Sequence, residues 1–173
     1  MNKTELLGGI GFVPAHEISH AFDYVGSQFS GNTEPSPVYS DEDIDRFIAK
    51  SSKLADYYSS IEIEPGLNVN GNIVKGEAAA DLSGMQAILA LAEKSDDIDI
   101  ENMIRCMSKT WAQVVPETYL FALLSDTHPL NYLRINVNAQ MYESVYEALG
   151  KNKGDGMYLA PEERIVFWGS AAA

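Results

Sequence analysis

Residues 16–20 read HEISH, and this pentapeptide constrains the chain more strongly than any other feature. On a helix, His16 and His20 lie four residues apart, so both imidazoles face the same side and suit a zinc ion. Glu17 then occupies the position of a general base that acts on a metal-bound water. Chance placement predicts about 0.004 such patterns in a chain of this composition. The pattern therefore indicates a metal site, with metal-free helical histidines as the alternative.

A catalytic zinc ion needs a third protein ligand, and cysteine cannot form a conventional set because only Cys106 is present. The mostly apolar stretch 75–92 contains two acids, Glu77 and Asp81, and a buried carboxylate is costly unless it meets a cation, a metal or hydrogen-bond donors. We predict that Glu77 is the third ligand and that Asp81 accepts the spare N–H of a ligand histidine. The alternative is a surface pair of Lys75 with Glu77 and a solvated Asp81.

Several further segments extend this pattern in order along the chain. Together they resemble the neprilysin family of zinc endopeptidases over residues 8–168. The matching segments are 8–11 (GGIG), 16–23 (HEISHAFD), 76–81 (GEAAAD), 125–129 (SDTHP) with Arg134, and 161–168 (PEERIVFW).

The resemblance implies a mainly α fold with zincin-like metal-binding helices of the gluzincin type. It implies one zinc ion held by His16, His20 and Glu77, with Glu17 activating the water that attacks the peptide bond. His128 would stabilise the oxyanion of the tetrahedral intermediate. The implied activity is endopeptidase cleavage, with oligopeptides as substrates.

The resemblance also assigns supporting roles. Asp81 would orient His16, and Asp23 would orient His20. A proton-donor role for Asp81 stays open beside this orienting role. Arg134 would bind a carbonyl or the terminal carboxylate of the peptide substrate, because its planar fork of donors suits such oxygens.

Three of these assignments have simpler alternatives. Arg134 would also fit a helix surface, paired with an acid of this acidic chain. His128 precedes Pro129, so it could simply end a helix in a turn. The ligand set favours zinc, although cobalt or manganese could occupy the same residues.

The chain departs from the family at several points. Ala78 stands where family members typically have Asn, and residues 31–39 lack the usual Trp-Trp. The family's enzymes are several times longer, so we expect this chain to be the C-terminal part of a larger catalytic domain. The missing N-terminal part would be a partner that pairs with the substrate backbone. The rival hypothesis is therefore a truncated, catalytically inactive zinc-binding or protein-interaction domain.

Composition bounds the remaining possibilities. The 173 residues, 46% of them hydrophobic, predict one domain over 1–173, with 169–173 as a tail. A net charge of −13 argues against nucleic-acid binding. We find no apolar stretch of about 18 residues and no signal-peptide pattern in this sequence. The single cysteine favours a cytoplasmic or bacterial cell-associated location without requiring one.

The sequence predicts a succession of helices with few strands. Ser40 and Asp43 form a capping-box pattern that opens a long helix, and Asp99 can cap another. Pro65, Gly66 and Gly71 predict a loop over 61–74. The predicted helices are 12–25, 41–58, a helix that carries Glu77 after this loop, 99–114, 117–124, 130–136 and 139–149, with a loop at 151–156.

Overall fold

Helices account for most of residues 1–30 and 38–169, which the computed structural model describes. This confirms the predicted mainly α fold. The α-helices are α1 (Lys3–Leu6), α2 (Phe12–Ser19), α3 (Asp41–Ser59), α4 (Gly71–Ala92), α5 (Ile100–Thr110), α6 (Leu120–Leu124), α7 (Asn131–Ala139) and α8 (Glu143–Ala148). A π-helical turn (Leu7–Gly11) joins α1 to α2, and 3-10 turns occupy His20–Phe22, Gly26–Gln28, Glu117–Tyr119 and Pro161–Glu163. Strands β1 (Glu62–Glu64) and β2 (Leu67–Asn68) form an antiparallel hairpin.

Two predictions fall partly outside these residues. Most of the 31–39 segment and most of the 169–173 tail belong to residues 31–37 and 170–173, which are not described. Within the described ranges, none of the helices combines the length and the apolar character that crossing a bilayer requires.

Polar N-caps begin the three longest helices. In each case the side-chain oxygen accepts a hydrogen bond from a backbone N–H of the first turn, which would otherwise lack a partner. These bonds join Ser40 Oγ to the Asp43 N–H of α3 (3.2 Å), Asn70 Oδ1 to the Asn72 N–H of α4 (3.2 Å) and Asp99 Oδ1 to the Asn102 N–H of α5 (3.0 Å).

Helix α4 is the centre of the fold because it contributes to both hydrophobic clusters. One of its faces packs against α3 and α7, where the buried residues include Leu54, Tyr58, Leu82, Leu133 and Val137. Its other face packs against α2, α5 and α8, where they include Phe12, Met85, Ile88, Met103 and Val145. The apolar stretch 75–92 is therefore buried on most of its circumference, as its composition predicted.

Gly84 marks the point where α2 and α4 cross. A Cβ atom at this position would lie 2.9 Å from the backbone nitrogen of His16 and 3.0 Å from its Cα. The absence of a side chain therefore lets the two backbones approach closely. This approach brings the acids of α4 within reach of the histidine on α2.

The predicted loop over 61–74 is wrong at both ends. The chain forms the β1–β2 hairpin around Gly66, whose φ of +78° suits glycine. Helix α4 then begins at Gly71, because Asn70 caps its first turn. Gly71 is a packing residue and not a helix breaker here, since a Cβ would lie 1.9 Å from the Ala55 carbonyl oxygen.

The predicted helix over 12–25 is too long. Helix α2 ends at Ser19, tightens into the 3-10 turn His20–Phe22, and stops where Asp23 adopts an extended backbone. Asp23 Oδ1 accepts hydrogen bonds from the backbone N–H groups of Val25 and Gly26, both at 2.8 Å. These bonds provide an acceptor for the backbone N–H groups of the turn, which therefore replaces a further helical turn.

Three more predicted boundaries differ from the structure. Helix α5 ends at Thr110 and not near residue 114, because Trp111 leaves the helical conformation. Helix α7 continues to Ala139, beyond the predicted end at 136. Helix α8 starts only at Glu143, since Tyr142 is extended and its hydroxyl donates a hydrogen bond to the Leu82 carbonyl at 2.7 Å.

We expect Gly84→Ala to lower the free energy of unfolding by about 1–3 kcal/mol, because the new methyl group forces α2 and α4 apart. Gly76→Ala on the same helix is the matched control. No atom lies within 4 Å of its added Cβ, so the substitution should stabilise α4 by up to about 1 kcal/mol through helix propensity. Urea unfolding of both metal-free variants measures the difference, and equal effects would contradict the close crossing.

Candidate metal centre

Two imidazole nitrogens converge at the end of α2. His16 lies in the helix and His20 in the following 3-10 turn, and their Nε2 atoms are 3.2 Å apart. The rings meet edge to face, with centroids 4.8 Å apart. The four-residue spacing therefore places both rings on one side, as predicted.

Glu77 of α4 completes a triangle with these nitrogens. Its Oε2 lies 3.2 Å from His16 Nε2 and 3.5 Å from His20 Nε2. This oxygen is buried and accepts no hydrogen bond from any described residue. A buried carboxylate oxygen without a donor is costly unless a cation lies beside it.

The other ring nitrogens fix the tautomers of both histidines. His16 Nδ1 lies 2.7 Å from Asp81 Oδ1, and His20 Nδ1 lies 2.8 Å from Asp23 Oδ2. Two bare acceptors would repel at these distances, so each Nδ1 carries the proton and each neutral Nε2 presents a lone pair. Three lone pairs therefore face one another, an arrangement that a cation between them would stabilise.

The size of this triangle suits zinc. A tetrahedral zinc ion with bonds of about 2.0–2.1 Å places its ligand atoms roughly 3.3–3.4 Å apart. The three distances of 3.2, 3.2 and 3.5 Å lie close to that value. The residues present therefore fit the ion that the sequence motif suggested.

Two glutamates lie near this triangle, and the geometry separates them. Glu17 is exposed, and one of its carboxylate oxygens groups with a ring nitrogen of each histidine within 4.8 Å. Glu77 Oε2 lies 3.2 and 3.5 Å from the two Nε2 atoms and is itself buried. Geometry thus favours Glu77 as the ligand and leaves Glu17 beside the position of a metal-bound molecule.

The carboxylate of Asp81 is fully buried and pairs with Arg134 of α7. Arg134 Nε donates to Oδ2 at 2.8 Å, and Arg134 Nη2 donates to Oδ1 at 2.7 Å. Arg134 Nη2 also lies 3.5 Å from His16 Nδ1, but both atoms are donors here. The His16 Nδ1–H is therefore directed at Asp81 Oδ1, which lies nearer at 2.7 Å. The alternatives of a solvated Asp81 and of an Arg134 on a helix surface are therefore wrong, because both residues are buried.

Trp111 covers this buried pair and was not singled out in the sequence. The guanidinium carbon of Arg134 lies 3.9 Å from the centroid of the Trp111 ring, a cation–π contact. Phe12 packs edge-on against the same indole and also contacts His16. No local pattern marked these residues, because their partners lie on other helices.

His128 lies on the open side of the triangle, between α6 and α7. Its Nε2 is 3.2 Å from Glu77 Oε2. Its Nδ1 and its backbone N–H both donate to Asp126 Oδ1 at 2.8 Å, and these hydrogen bonds lower the pKa of Asp126. The structure therefore brings all predicted site residues together.

The family departure at Ala78 falls on the buried side of α4. Ala78 is completely buried in the cluster that α4 forms with α3 and α7. It offers no side-chain polar atom to the neighbouring metal ligands, so any contact made by an Asn there is absent.

Comparison with known proteins gives a consistent result. The family model described as peptidase family M13 matches residues 1–165. The neutral endopeptidase of Lactobacillus helveticus is 33% identical over 162 residues, and that of Lactococcus lactis subsp. lactis (strain IL1403) is 35% identical over 168 residues. The alignments cover 93% and 96% of this chain, but 25% and 27% of the relatives. The chain thus spans about a quarter of the length of these relatives.

Two solved structures share the fold. The crystal structure of the Mycobacterium tuberculosis zinc metalloprotease Zmp1 in complex with an inhibitor is similar with a TM-score of 0.88 at 23% identity, over 95% of this chain and 28% of that one. The crystal structure of PepO from Lactobacillus rhamnosis HN001 is similar with a TM-score of 0.82 at 29% identity, over 96% and 26%. At 23% identity, the first likeness shows the fold alone.

We expect zinc affinity to fall as the pH is lowered, beginning above pH 6.5. Burial lowers the pKa of His20, but the hydrogen bond that its ring donates to Asp23 and the charges of Glu77, Asp23 and Glu17 outweigh burial and raise the pKa above its ordinary 6.5. In the metal-free chain protons therefore compete with zinc at a higher pH than for an ordinary histidine. Chelator competition from pH 8 to pH 5.5 measures this.

Asp23→Asn is the control for this pH dependence. The amide oxygen of the variant can still accept the hydrogen bonds from the Val25 and Gly26 N–H groups. The substitution removes the negative charge beside His20. The onset of the affinity loss should move to lower pH in this variant. An unchanged onset would contradict the electrostatic cause.

Arg134→Met should lower the free energy of unfolding by about 3–5 kcal/mol, because it leaves the buried Asp81 charge unpaired. Arg105→Met is the matched control, since Arg105 forms an exposed helical pair with Glu101 whose loss costs less than about 1 kcal/mol. Denaturant unfolding of both variants gives the values. Similar losses in the two variants would rule out a strongly coupled buried pair.

Proposed function

This chain belongs to peptidase family M13, and we propose that it carries the catalytic centre of a zinc-dependent endopeptidase that hydrolyses peptide bonds of oligopeptides. The observation that carries the proposal is the convergence of three lone pairs on one point, from His16 Nε2, His20 Nε2 and Glu77 Oε2. The names of its relatives, which are neutral endopeptidases, support the same activity.

His16, His20 and Glu77 would hold one zinc ion. When bound, zinc acts as a Lewis acid that makes water acidic near neutral pH and polarises a peptide carbonyl. Zinc is favoured over cobalt or manganese by two imidazoles and one carboxylate at tetrahedral spacing.

Glu17 is the general base of the proposed reaction. Its carboxylate lies near both ligand imidazoles, is exposed, and makes no side-chain hydrogen bond to a described residue. It is therefore free to take a proton from the attacking water and to deliver it to the departing amine. Glu77 cannot serve in this way while it coordinates the metal.

His128 and Arg134 face the substrate side of this centre. His128 would donate a hydrogen bond to the oxygen that becomes negative as water attacks the carbonyl. Both residues line a cavity of about 300 Å³, which Asp126 also lines. Arg134 Nη1 makes no hydrogen bond within the described chain, so it is the guanidinium nitrogen left to bind a carbonyl or carboxylate of the peptide.

Asp81 and Asp23 are positioning residues in this proposal. Asp81 holds the His16 ring and Asp23 holds the His20 ring, which keeps both Nε2 lone pairs aimed at the metal. Complete burial of Asp81 and the engagement of both its oxygens by Arg134 support positioning over the alternative role of proton donor.

The second candidate function is a catalytically inactive zinc-binding or protein-interaction domain. The observation that favours it is coverage, since the chain spans about a quarter of the length of its relatives. The remaining length, supplied within a longer chain or by a partner, would then be needed to hold the peptide for turnover.

We expect Glu17→Gln to retain zinc and to lose cleavage of a quenched fluorescent peptide by about 10²–10⁴-fold, because the amide cannot accept the proton of water. Glu147→Gln on the exposed face of α8 is the control and should leave both properties unchanged. Elemental analysis gives the zinc content, and chelator sensitivity shows that cleavage depends on the metal.

The outcomes separate the two functions. Zinc-dependent cleavage that Glu17→Gln abolishes supports the endopeptidase. Zinc binding without any cleavage by the unmodified chain supports the inactive domain. Cleavage that survives in Glu17→Gln at an equal rate would overturn the role of Glu17.

A further inference from the structure

The segment 161–168 is part of the family resemblance, yet none of the proposed site residues lies in it. Its last residue, Trp168, packs edge-on against Phe22, with ring centroids 6.4 Å apart and an interplanar angle of 79°. This geometry is usual for a stabilising aromatic pair. Phe22 is the last residue of the 3-10 turn that begins with the ligand His20. Trp168 therefore contacts the element that presents one of the two imidazoles.

We propose that Trp168 is a positioning residue of the metal site. It holds the turn His20–Phe22 against α4 and thereby keeps the Nε2 atom of His20 beside His16 and Glu77. This inference rests on the proposed function, because it takes the same metal site as given.

Trp168 is itself fixed to the helix that carries Glu77. Its indole N–H donates a hydrogen bond to Ser83 Oγ of α4 at 2.8 Å, and its carbonyl oxygen accepts one from Gln86 Nε2 of the same helix at 2.7 Å. The indole ring also packs against Phe47 of α3, with centroids 6.4 Å apart. An indole held by two helices resists a shift of the turn that packs against it.

Tyr39 forms a second connection between Trp168 and this turn. Its hydroxyl donates a hydrogen bond to the Phe22 carbonyl at 3.1 Å, and the centroid of its ring lies 6.4 Å from that of the indole. Both the ring and the carbonyl of Phe22 are thus held by groups that pack against Trp168 or belong to it. Loss of the indole therefore weakens both contacts.

The turn has little other support from the core. Among the described residues, neither buried hydrophobic cluster includes any of positions 20–26, whereas Trp168 packs against the cluster of α3, α4 and α7. Phe22 is 49% exposed, and the His20 side chain is 31% exposed, compared with 5% for His16. The contact with Trp168 therefore joins a peripheral turn to the buried core.

The two ligand histidines differ in what holds their supporting carboxylates. Asp81 supports His16 from another helix and is fixed there by Arg134. Asp23 supports His20 from the end of the same turn, so this pair moves together with the turn. Contacts from outside the turn must therefore fix His20 relative to the other two ligands.

The zinc affinity of Trp168→Leu, measured by chelator competition, tests the proposal. We expect a loss of about three- to tenfold, which corresponds to one aromatic pair. Phe22→Leu removes the same contact from the other side and should weaken zinc binding to a similar extent. Because Phe22 is half-exposed, this second variant tests the contact even if Trp168→Leu fails to fold. Unchanged zinc affinity in Phe22→Leu would overturn the proposal.

A double-mutant cycle shows whether Trp168 acts through Phe22. In the Phe22→Leu background, Trp168→Leu should cause a smaller loss of zinc affinity than it causes alone. Two losses that simply multiply would contradict the proposed route. Phe167→Leu is the matched control, because Phe167 is the neighbouring buried aromatic residue and packs against Phe47 of α3. It should lower stability without changing zinc affinity.

Hydrogen exchange of the metal-free chain gives a second readout. Trp168→Leu should speed exchange of the amides at 20–26 more than Phe167→Leu does, because the turn opens more often. Unchanged zinc affinity in a folded Trp168→Leu variant would overturn the positioning role and leave the proposed metal site intact. Failure of the unmodified chain to bind zinc would overturn both.

Discussion

The rest of this molecule depends on the contacts that the Asp81 carboxylate makes with Arg134 and His16. The carboxylate is completely buried, and an ionised group in that position costs several kcal/mol unless charges and donors surround it. Arg134 supplies the charge from α7, and His16 supplies a ring N–H from α2. One side chain therefore joins three helices and, in the same contacts, sets the direction of an imidazole lone pair.

This arrangement makes the core and the site one structure. Gly84 allows α2 and α4 to approach until their backbones nearly touch, and only at that distance does Asp81 reach His16. Trp111 then shields the pair from water, which strengthens the electrostatic attraction across it. His16, Glu77, Asp81 and Arg134 are thus held by helices, whereas His20 lies in the turn after α2 and His128 lies in the segment between α6 and α7.

The sequence could predict those features whose partners lie within about one helical turn. The four-residue spacing of His16 and His20 and the cap at Asp99 belong to this class, and both agree with the structure. The need of Glu77 and Asp81 for partners was also predictable, because buried charge is costly whatever surrounds it. The identity of a partner such as Arg134, which follows Asp81 by 53 residues, was available only through resemblance or the fold.

Glycine shows most clearly why the remaining boundaries were not predictable. Gly66 makes a turn and Gly71 fits against the Ala55 carbonyl, yet both look like the same helix breaker in the sequence. The difference lies in what another element places beside the residue. Local pattern holds no information about that neighbour, so the start of α4 was placed too late.

Asp23 has two oxygens with two tasks, and their combination links equilibria that are usually treated apart. Oδ1 accepts the hydrogen bonds of the turn that follows the 3-10 segment His20–Phe22, and Oδ2 holds the ring of His20. By thermodynamic reciprocity, a metal ion that favours the held ring must also favour the closed turn. Metal binding then makes the local opening of residues 20–26 less favourable, and opening of this segment weakens metal binding by the same coupling free energy.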